Sequence, residues 1–168
     1  SGVARQWGHC FPCLRRIDFL QGESGNDIIL GEIGEDIIFG GTGNDSIHGD
    51  STSVPGPVRD SPSYGQADNL YGDAGNDLIS GGGGNDYIEG GDDNDIVTGD
   101  DGNDTIYASA GNDSLQGQAG NDTFNWASTD GRDTFNGGAD FDRVQLLTGG
   151  NTFTYDATGG GVKFSGIE

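Results

Sequence analysis

Aspartate recurs at one point of a nine-residue unit along most of this chain. The unit reads Gly-Gly-x-Gly-Asn-Asp-x-(Ile/Leu/Val)-x, and Gly40–His48 and Gly81–Glu89 are clean copies of it. Stacked copies would bring the carboxylates about 5 Å apart, where like charges repel strongly unless a cation lies between them. This residue type at this spacing therefore indicates binding of cations. The position-six aspartates of the twelve units are Asp27, Asp36, Asp45, Asp68, Asp77, Asp86, Asp95, Asp104, Asp113, Asp122, Asp133 and Asp142.

The residues that precede each aspartate supply further oxygen. Gly allows a positive φ without steric cost and Asn tolerates it, so the first six residues of the unit are predicted to form a turn. The carbonyls of this turn, like the carboxylates, are hard oxygen ligands, and six or more of them at about 2.3–2.6 Å suit Ca²⁺. Magnesium tends to keep its waters, and zinc prefers nitrogen or sulfur. Calcium is therefore the predicted ion.

The last three residues of the unit have the pattern of a strand, with the apolar residue facing inward and its neighbours outward. Such a short strand is stable only when it is stacked on others. Turn plus strand reverses the chain, so two units are predicted to form one coil of 18 residues. The sequence thus predicts an all-β parallel stack of about six coils, at about 4.8 Å per layer, with a column of aspartates on each edge.

The composition taken alone is ambiguous. Hydrophobic residues make up 31% of the 168 residues, 34 residues are Gly, and the net charge is −21. These values fit either a disordered acidic chain or a single repeat domain that metal ions complete, and the fixed phase of Asp and Ile favours the second. The acidity argues against binding of nucleic acid or of anionic membranes, and no apolar run is long enough to span a membrane.

The repeats are predicted to occupy residues 20–145. Residues 1–19 lie outside the nine-residue phase and show no recognisable secretory signal peptide. An insertion within residues 52–66 contains three of the four prolines, so it is expected to leave the stack. Residues 146–168 are expected to cap the C-terminal end, because terminal units of a stack need an atypical closure.

Other candidates for chemistry are few. Cys10 and Cys13 form one C-x-x-C pair, without a second pair to complete a zinc site, and are interpreted as a local disulfide or two free thiols. The sequence contains neither the H-E-x-x-H motif of zinc proteases nor the G-x-S-x-G motif of hydrolases. The chain is therefore predicted not to be an enzyme.

The nonapeptide resembles the G-G-x-G-x-D-x-U-x repeat of RTX (repeats-in-toxin, hemolysin-type calcium-binding) proteins over about Gly22–Gln145. This resemblance implies a right-handed parallel β-roll (β-helix) with calcium between successive turns on both edges. The position-six aspartates would supply carboxylates, with Asp68 left out because the insertion removes its normal turn. The turn glycines that would supply carbonyls are Gly25, Gly34, Gly43, Gly75, Gly84, Gly102, Gly111 and Gly120.

The resemblance also implies that the protein is exported and folds outside the cell. Members of the family are commonly exported by type I secretion, stay unfolded in the low calcium of the cytosol, and fold in the millimolar calcium outside. Five gaps in each of two columns allow ten ions at most, and the imperfect units reduce the prediction to roughly five to nine calcium ions. The expected product is a secreted monomer that assists secretion and folding of a parent protein.

A binding module is the alternative. Outward positions of the strands carry Phe39, Tyr71, Tyr87 and Tyr107, which are predicted to form an aromatic row on one face. Such a row could belong to a calcium-stabilised extracellular module that recognises carbohydrate or a neighbouring domain of the parent protein. The sequence leaves this alternative open.

Overall fold

A computed structural model describes residues 3–4, 17–31, 34–49, 65–127, 131–147 and 163–165. The predictions for Cys10 and Cys13, for most of the insertion and for residues 148–162 lie outside this part. Its regular structure consists of strands, and none of the described residues forms a helix that could cross a membrane. In chain order the strands are β1 (Val3–Ala4), β2 (Phe19–Gln21), β3 (Ile28–Leu30), β4 (Ile37–Thr42), β5 (Ser46–His48), β6 (Asn69–Ala74), β7 (Leu78–Gly83), β8 (Tyr87–Glu89), β9 (Ile96–Asp101), β10 (Thr105–Tyr107), β11 (Ser114–Ala119), β12 (Thr123–Trp126), β13 (Thr134–Ala139), β14 (Arg143–Leu146) and β15 (Lys163–Ser165).

Alternate strands belong to two different sheets. One sheet has the order β1-β3-β5-β7-β9-β11-β13, and the other has the order β15-β14-β12-β10-β8-β6-β4-β2. Neighbouring strands are parallel, and residues 18 apart pair in the uninterrupted units, as Ile106 does with Ile88 and with Phe124. The predicted all-β parallel stack of about six turns is therefore confirmed.

The insertion does not disturb the stacking of the strands. Ile38 pairs with Leu70 and Ile47 pairs with Ile79, both across an offset of 32 residues instead of 18. The strands on either side of residues 50–64 therefore meet as if the extra residues were absent, because the pairing of a layer depends only on the residues that lie in it.

The core is built on a row of apolar residues at position eight of the unit, and Leu20, Ala108 and Trp126 are buried with them. Position eight faces inward between the two sheets, and its side chain is almost completely buried, because the flanking positions of each strand point to the outside. The position-eight residues of this row are Ile29, Ile38, Ile47, Leu70, Ile79, Ile88, Val97, Ile106, Leu115, Phe124 and Val144, with Phe135 partly buried against them. Each burial contributes about 1.5–3 kcal/mol to stability, so a row this thin yields little for a chain of this length.

The corners of the coils require residues that accept a positive φ. All seven non-glycine residues with positive φ in the described part lie at position two or four of the unit. Asp93 and Asp140 replace Gly at position four with φ of 79° and 72°, a region that Asp tolerates better than most residues. These two departures from the repeat therefore leave the turn intact.

Because inward and outward positions alternate along each strand, truncation of neighbouring residues is predicted to lower the free energy of unfolding by very different amounts. Ile79→Ala should lower the free energy of unfolding by about 2–5 kcal/mol, because Ile79 is fully buried between the sheets. Leu78→Ala, next to it, should cost far less, because Leu78 is 46% exposed on the outer face. Urea unfolding in saturating calcium measures both values, and equal losses would contradict the inward position of Ile79.

Candidate metal centre

The position-six aspartates form two columns, one on each edge of the stack. All but Asp133, which is half-buried, are buried. In each column, Oδ1 of one aspartate accepts a hydrogen bond from the backbone N–H of the aspartate in the preceding layer, at 2.6–3.0 Å. The first column contains Asp27, Asp45, Asp77, Asp95, Asp113 and Asp133, and the second contains Asp36, Asp68, Asp86, Asp104, Asp122 and Asp142.

The second carboxylate oxygen has a different environment. Oδ2 is buried and accepts no hydrogen bond in six of these residues, which belong to both columns. A buried polar atom without a partner costs about 1–3 kcal/mol, and more when it is charged. A row of such atoms therefore needs a compensating ligand. The six residues are Asp45, Asp77, Asp95, Asp104, Asp122 and Asp142.

The glycine at position one leaves space beside this oxygen. A Cβ added to Gly40 would lie 2.7 Å from Oδ2 of Asp45 and 2.5 Å from the carbonyl oxygen of Gly72 in the next layer. A Cβ added to Gly31 would lie 2.6 Å from Oδ2 of Asp36 and 2.5 Å from the carbonyl oxygen of Gly49. A carboxylate oxygen and a carbonyl oxygen of the next layer thus converge on most of the position-one glycines.

These oxygens suit a hard cation. In the described part, no group of three or more His, Cys, Asp or Glu side chains converges as a ready-made metal site. A cation beside Oδ2 would therefore take much of its coordination from backbone carbonyls. Such a donor set, all oxygen and with one carboxylate for each turn, suits Ca²⁺ and lacks the nitrogen and sulfur ligands that Zn²⁺ prefers.

The turn glycines predicted as carbonyl ligands lie at the same edges, one corner further along the unit. Each carbonyl oxygen points along the stack toward the position-four residue of the next layer, as Gly25 does toward Gly43 and Gly102 does toward Gly120. Gly111, which lacks a positive φ, points its carbonyl oxygen toward Gly131 in the same way. The structure therefore aligns these carbonyls in rows beside the aspartate columns. The predicted glycines with positive φ are Gly25, Gly34, Gly43, Gly75, Gly84, Gly102 and Gly120, whereas Gly111 differs.

Asparagine at position five has a function that the sequence did not suggest. Oδ1 of Asn44 accepts the backbone N–H of Asn76 at 3.1 Å, and Oδ1 of Asn103 accepts that of Asn121 at 2.8 Å. In these bonds the later layer donates to the earlier one, whereas in the aspartate columns the earlier layer donates to the later one. The two ladders therefore connect each pair of layers in opposite directions. Asn precedes the position-six Asp in eight of the twelve units, and this was the available signal.

Two aspartates of the second column, Asp68 and Asp18, were not among the predicted ligands. Asp68, left out of the predicted ligands, is buried, and its Oδ1 accepts the N–H of Asp36 at 2.6 Å. The N–H of Asp18 donates to Oδ1 of Asp36 at 2.8 Å, and β2 pairs with β4 directly after it. Asp18-Phe19-Leu20-Gln21 matches the second half of the unit, and this half-repeat was the signal for Asp18.

Burial changes the acidity of the columns. Removal from water raises the pKa of Asp77 and Asp104 from 3.8 to about 6, and that of Asp95 and Asp122 to about 7. Hydrogen bonds from the backbone lower these pKa values and neighbouring carboxylates raise them, but burial is the largest effect. Without a cation, the folded columns thus favour protonated carboxyl groups.

The aromatic row lies on the outer face of the eight-stranded sheet. Phe39, Tyr71, Tyr87 and Tyr107 are half-buried, and consecutive ring centroids are 4.8, 5.7 and 5.2 Å apart. Phe19, which the sequence did not place in the row, extends it at 5.5 Å from Phe39. Phe39 and Tyr71 stack face to face with an interplanar angle of 8°, so much of their ring surface contacts another ring rather than solvent.

The raised pKa values predict an unusual dependence on pH. A carboxyl group whose pKa is higher in the folded state than in the unfolded chain stabilises the fold below the unfolded pKa, and loses this effect as pH rises through the folded pKa. In the presence of a chelator, the melting temperature should therefore fall as pH rises from about 5 through the pKa values near 6 and 7, until the chain is largely disordered near neutral pH.

Circular dichroism with a chelator at a series of pH values measures this dependence. Asp95→Asn should make this dependence shallower, because the amide cannot ionise, while its oxygen can still accept the N–H of Asp77. Saturating calcium should remove the fall, because the cation favours the ionised carboxylates. A melting temperature that rises with pH in the chelator would contradict the role of burial.

Comparison with protein families identifies the repeat. The chain matches the family model of the RTX calcium-binding nonapeptide repeat in four copies, over residues 15–51, 64–97, 98–125 and 128–157. No match was found in a search of the curated proteins. The family matches cover both aspartate columns, and the first of them includes Asp18. With the parallel stack and the buried aspartate columns, these matches show that the chain belongs to the RTX calcium-binding nonapeptide repeat family.

Proposed function

We propose that this chain is a calcium-folded RTX module of a secreted bacterial protein, which folds outside the cell and assists type I secretion and folding of its parent protein. The observation that carries this proposal is the row of buried Oδ2 atoms that accept no hydrogen bond, in Asp45, Asp77, Asp95, Asp104, Asp122 and Asp142. The family supports calcium binding, and secretion and folding outside the cell are proposed from the consequences of that binding.

Calcium binding and folding are coupled in this architecture. Each carboxylate reaches its neighbours and the carbonyls of the next layer only in the stacked state, so a preformed site does not exist in the unfolded chain. The net charge of −21 adds general repulsion to compaction. The free energy of calcium binding therefore becomes free energy of folding, and roughly five to nine ions are proposed.

This coupling makes the calcium concentration a switch. Extracellular calcium modules commonly bind with dissociation constants of about 10⁻⁴–10⁻³ M, which is far above the calcium level inside cells. Such a module would remain unfolded during synthesis and export, and would fold after it reaches an environment rich in calcium. The proposed location is therefore extracellular.

The proposed role is structural and not catalytic. Both oxygens of a column carboxylate are held in place. One accepts a hydrogen bond from a backbone N–H, and the other lies against the position-one glycine. A group held in this way stabilises a layer and has no freedom to exchange protons with a substrate.

The alternative, recognition of carbohydrate or of a neighbouring domain, depends on the aromatic row. Binding of a sugar ring by an aromatic residue uses the face of the aromatic ring, and the facing surfaces of Phe39 and Tyr71 are stacked on each other at 4.8 Å. The row therefore stabilises the outer face of the sheet in the manner of cross-strand aromatic pairs. The geometry supports the calcium-folded module better than the binding module.

The coupling predicts a reversible folding transition. In chelator near neutral pH, the far-ultraviolet spectrum should be that of a largely disordered chain, because the columns then carry unneutralised charge. Addition of millimolar calcium should restore the β spectrum, and equal magnesium should not, because magnesium dehydrates reluctantly. A β spectrum that stays unchanged in chelator would refute the proposal.

A pair of matched variants tests the column directly. Asp77→Asn removes a charge at the buried oxygen but keeps an acceptor for the N–H of Asp45, so overall calcium affinity should fall by about tenfold or more. Asp73→Asn removes the same charge at an exposed corner residue with φ of 72°, which Asn tolerates. Calorimetric titration should show little change for Asp73→Asn, and equal losses would indicate that only net charge matters.

A further inference from the structure

In the first column, the units of Asp113 and Asp133 do not have Gly at position one. This position is occupied by Gly in the units of Asp27, Asp45, Asp77 and Asp95, and by Ala108 in the unit of Asp113. Ala108 is completely buried and belongs to the apolar core. Its methyl group therefore points into the stack and not into solvent.

The other turns of this column show what such a methyl group would meet. A Cβ added at position one would lie 3.0 Å from Oδ2 of Asp27, 2.7 Å from that of Asp45 and 2.6 Å from that of Asp77. These distances are shorter than carbon and oxygen atoms tolerate without a shift. With a real methyl group at Ala108, the turn must shift, although Oδ1 of Asp113 still accepts the N–H of Asp95 at 2.9 Å.

The hydrogen bonds around Ala108 show the displacement. The N–H of Gly90 lies 3.4 Å from the carbonyl oxygen of Tyr107, and the N–H of Ala108 lies 3.2 Å from that of Asn125, whereas the equivalent bond of Gly22 measures 2.9 Å. The carbonyl oxygen of Ala108 is 3.4 Å from a Cβ placed on Gly90. At Gly40 the corresponding distance, to the carbonyl oxygen of Gly72, is 2.5 Å. The backbone of this layer has thus moved away from its neighbour.

The corner of the same turn is also different. Position four has positive φ in the turns before and after it, with 142° at Gly102 and 126° at Gly120, but Gly111 lacks a positive φ. The Cβ position of Gly111 faces Oδ1 of Asp113 at 2.8 Å, a contact that Gly102 and Gly120 do not make with their own aspartates. The carbonyl oxygen of Gly111 still points along the stack toward Gly131, so this turn differs in the φ of Gly111 and in its contact with Asp113.

We propose that the turn of Asp113 does not form a calcium site, because the methyl group of Ala108 occupies the space that the other turns leave beside Oδ2. This inference rests on the proposed calcium-folded function and refines it. The motif Gly111-Asn112-Asp113 keeps the sequence of a site, but the first column is divided into calcium-binding turns on either side of an apolar layer. Ala108 thus lowers the number of ions in this column by one.

Counting bound ions tests the inference. Native mass spectrometry in saturating calcium should find one more ion in Ala108→Gly than in the unmodified chain. Ala110→Gly is the matched control, because it makes the same change at an exposed residue of the same turn, and its ion count should equal that of the unmodified chain. An unchanged count in Ala108→Gly, with a native β spectrum, would overturn the inference.

A second variant keeps the test decisive if the added glycine weakens folding. Asp113→Asn preserves an acceptor for the N–H of Asp95 and should leave the ion count of the unmodified chain unchanged. Loss of an ion in Asp113→Asn would overturn the inference. An unmodified chain that binds no calcium would instead refute the proposed function, so the two failures are distinguishable.

Discussion

The buried carboxylate in every turn is the constraint on which the rest of this structure depends. One of its oxygens is bound to the backbone of the preceding layer, which fixes the side chain within the stack. The other is buried where no hydrogen-bond donor reaches it in Asp95 and Asp104. Since layers of a parallel sheet are about 4.8 Å apart, the charge of each aspartate must be neutralised by a proton or by a cation. The fold can therefore exist only with one of these two partners.

The thin core explains why the structure relies on cations. Most strands contribute one apolar side chain to the interior, such as Ile79 or Ile88, and β12 contributes two, Phe124 and Trp126. A globular domain of this length would bury a much larger apolar interior, and its stability would come mainly from that interior. Here the edges, where the two columns lie, must contribute a large part of the stability. The edges are also tightly packed. Position one is usually Gly, because a Cβ there would collide with the carboxylate.

The sequence predicted the two-sheet stack, the 18-residue period and both aspartate columns, because all three follow from the spacing of identical residues. It did not predict which carboxylate oxygen binds the backbone, or that Asn44 and Asn103 form ladders, because these depend on φ and ψ of the turn. Asp18 was missed because no glycine-rich turn precedes it in the sequence. Asp68 was left out because the insertion obscures its turn, although its own layer is intact.

The atom that each position contributes decides which departures from the repeat matter. Position five donates a backbone N–H to the asparagine of the preceding layer, so Arg132 and Phe141 still donate at 3.1 Å although they lack the amide side chain. Their substitution removes only the acceptor for a following layer. Position two requires a positive φ, which Asp100 and Gln118 adopt. Position one has to lack a Cβ, because a Cβ there would collide with the carboxylate, and only Gly lacks one. The mildest substitution in the repeat, a single methyl group at Ala108, therefore disturbs its turn.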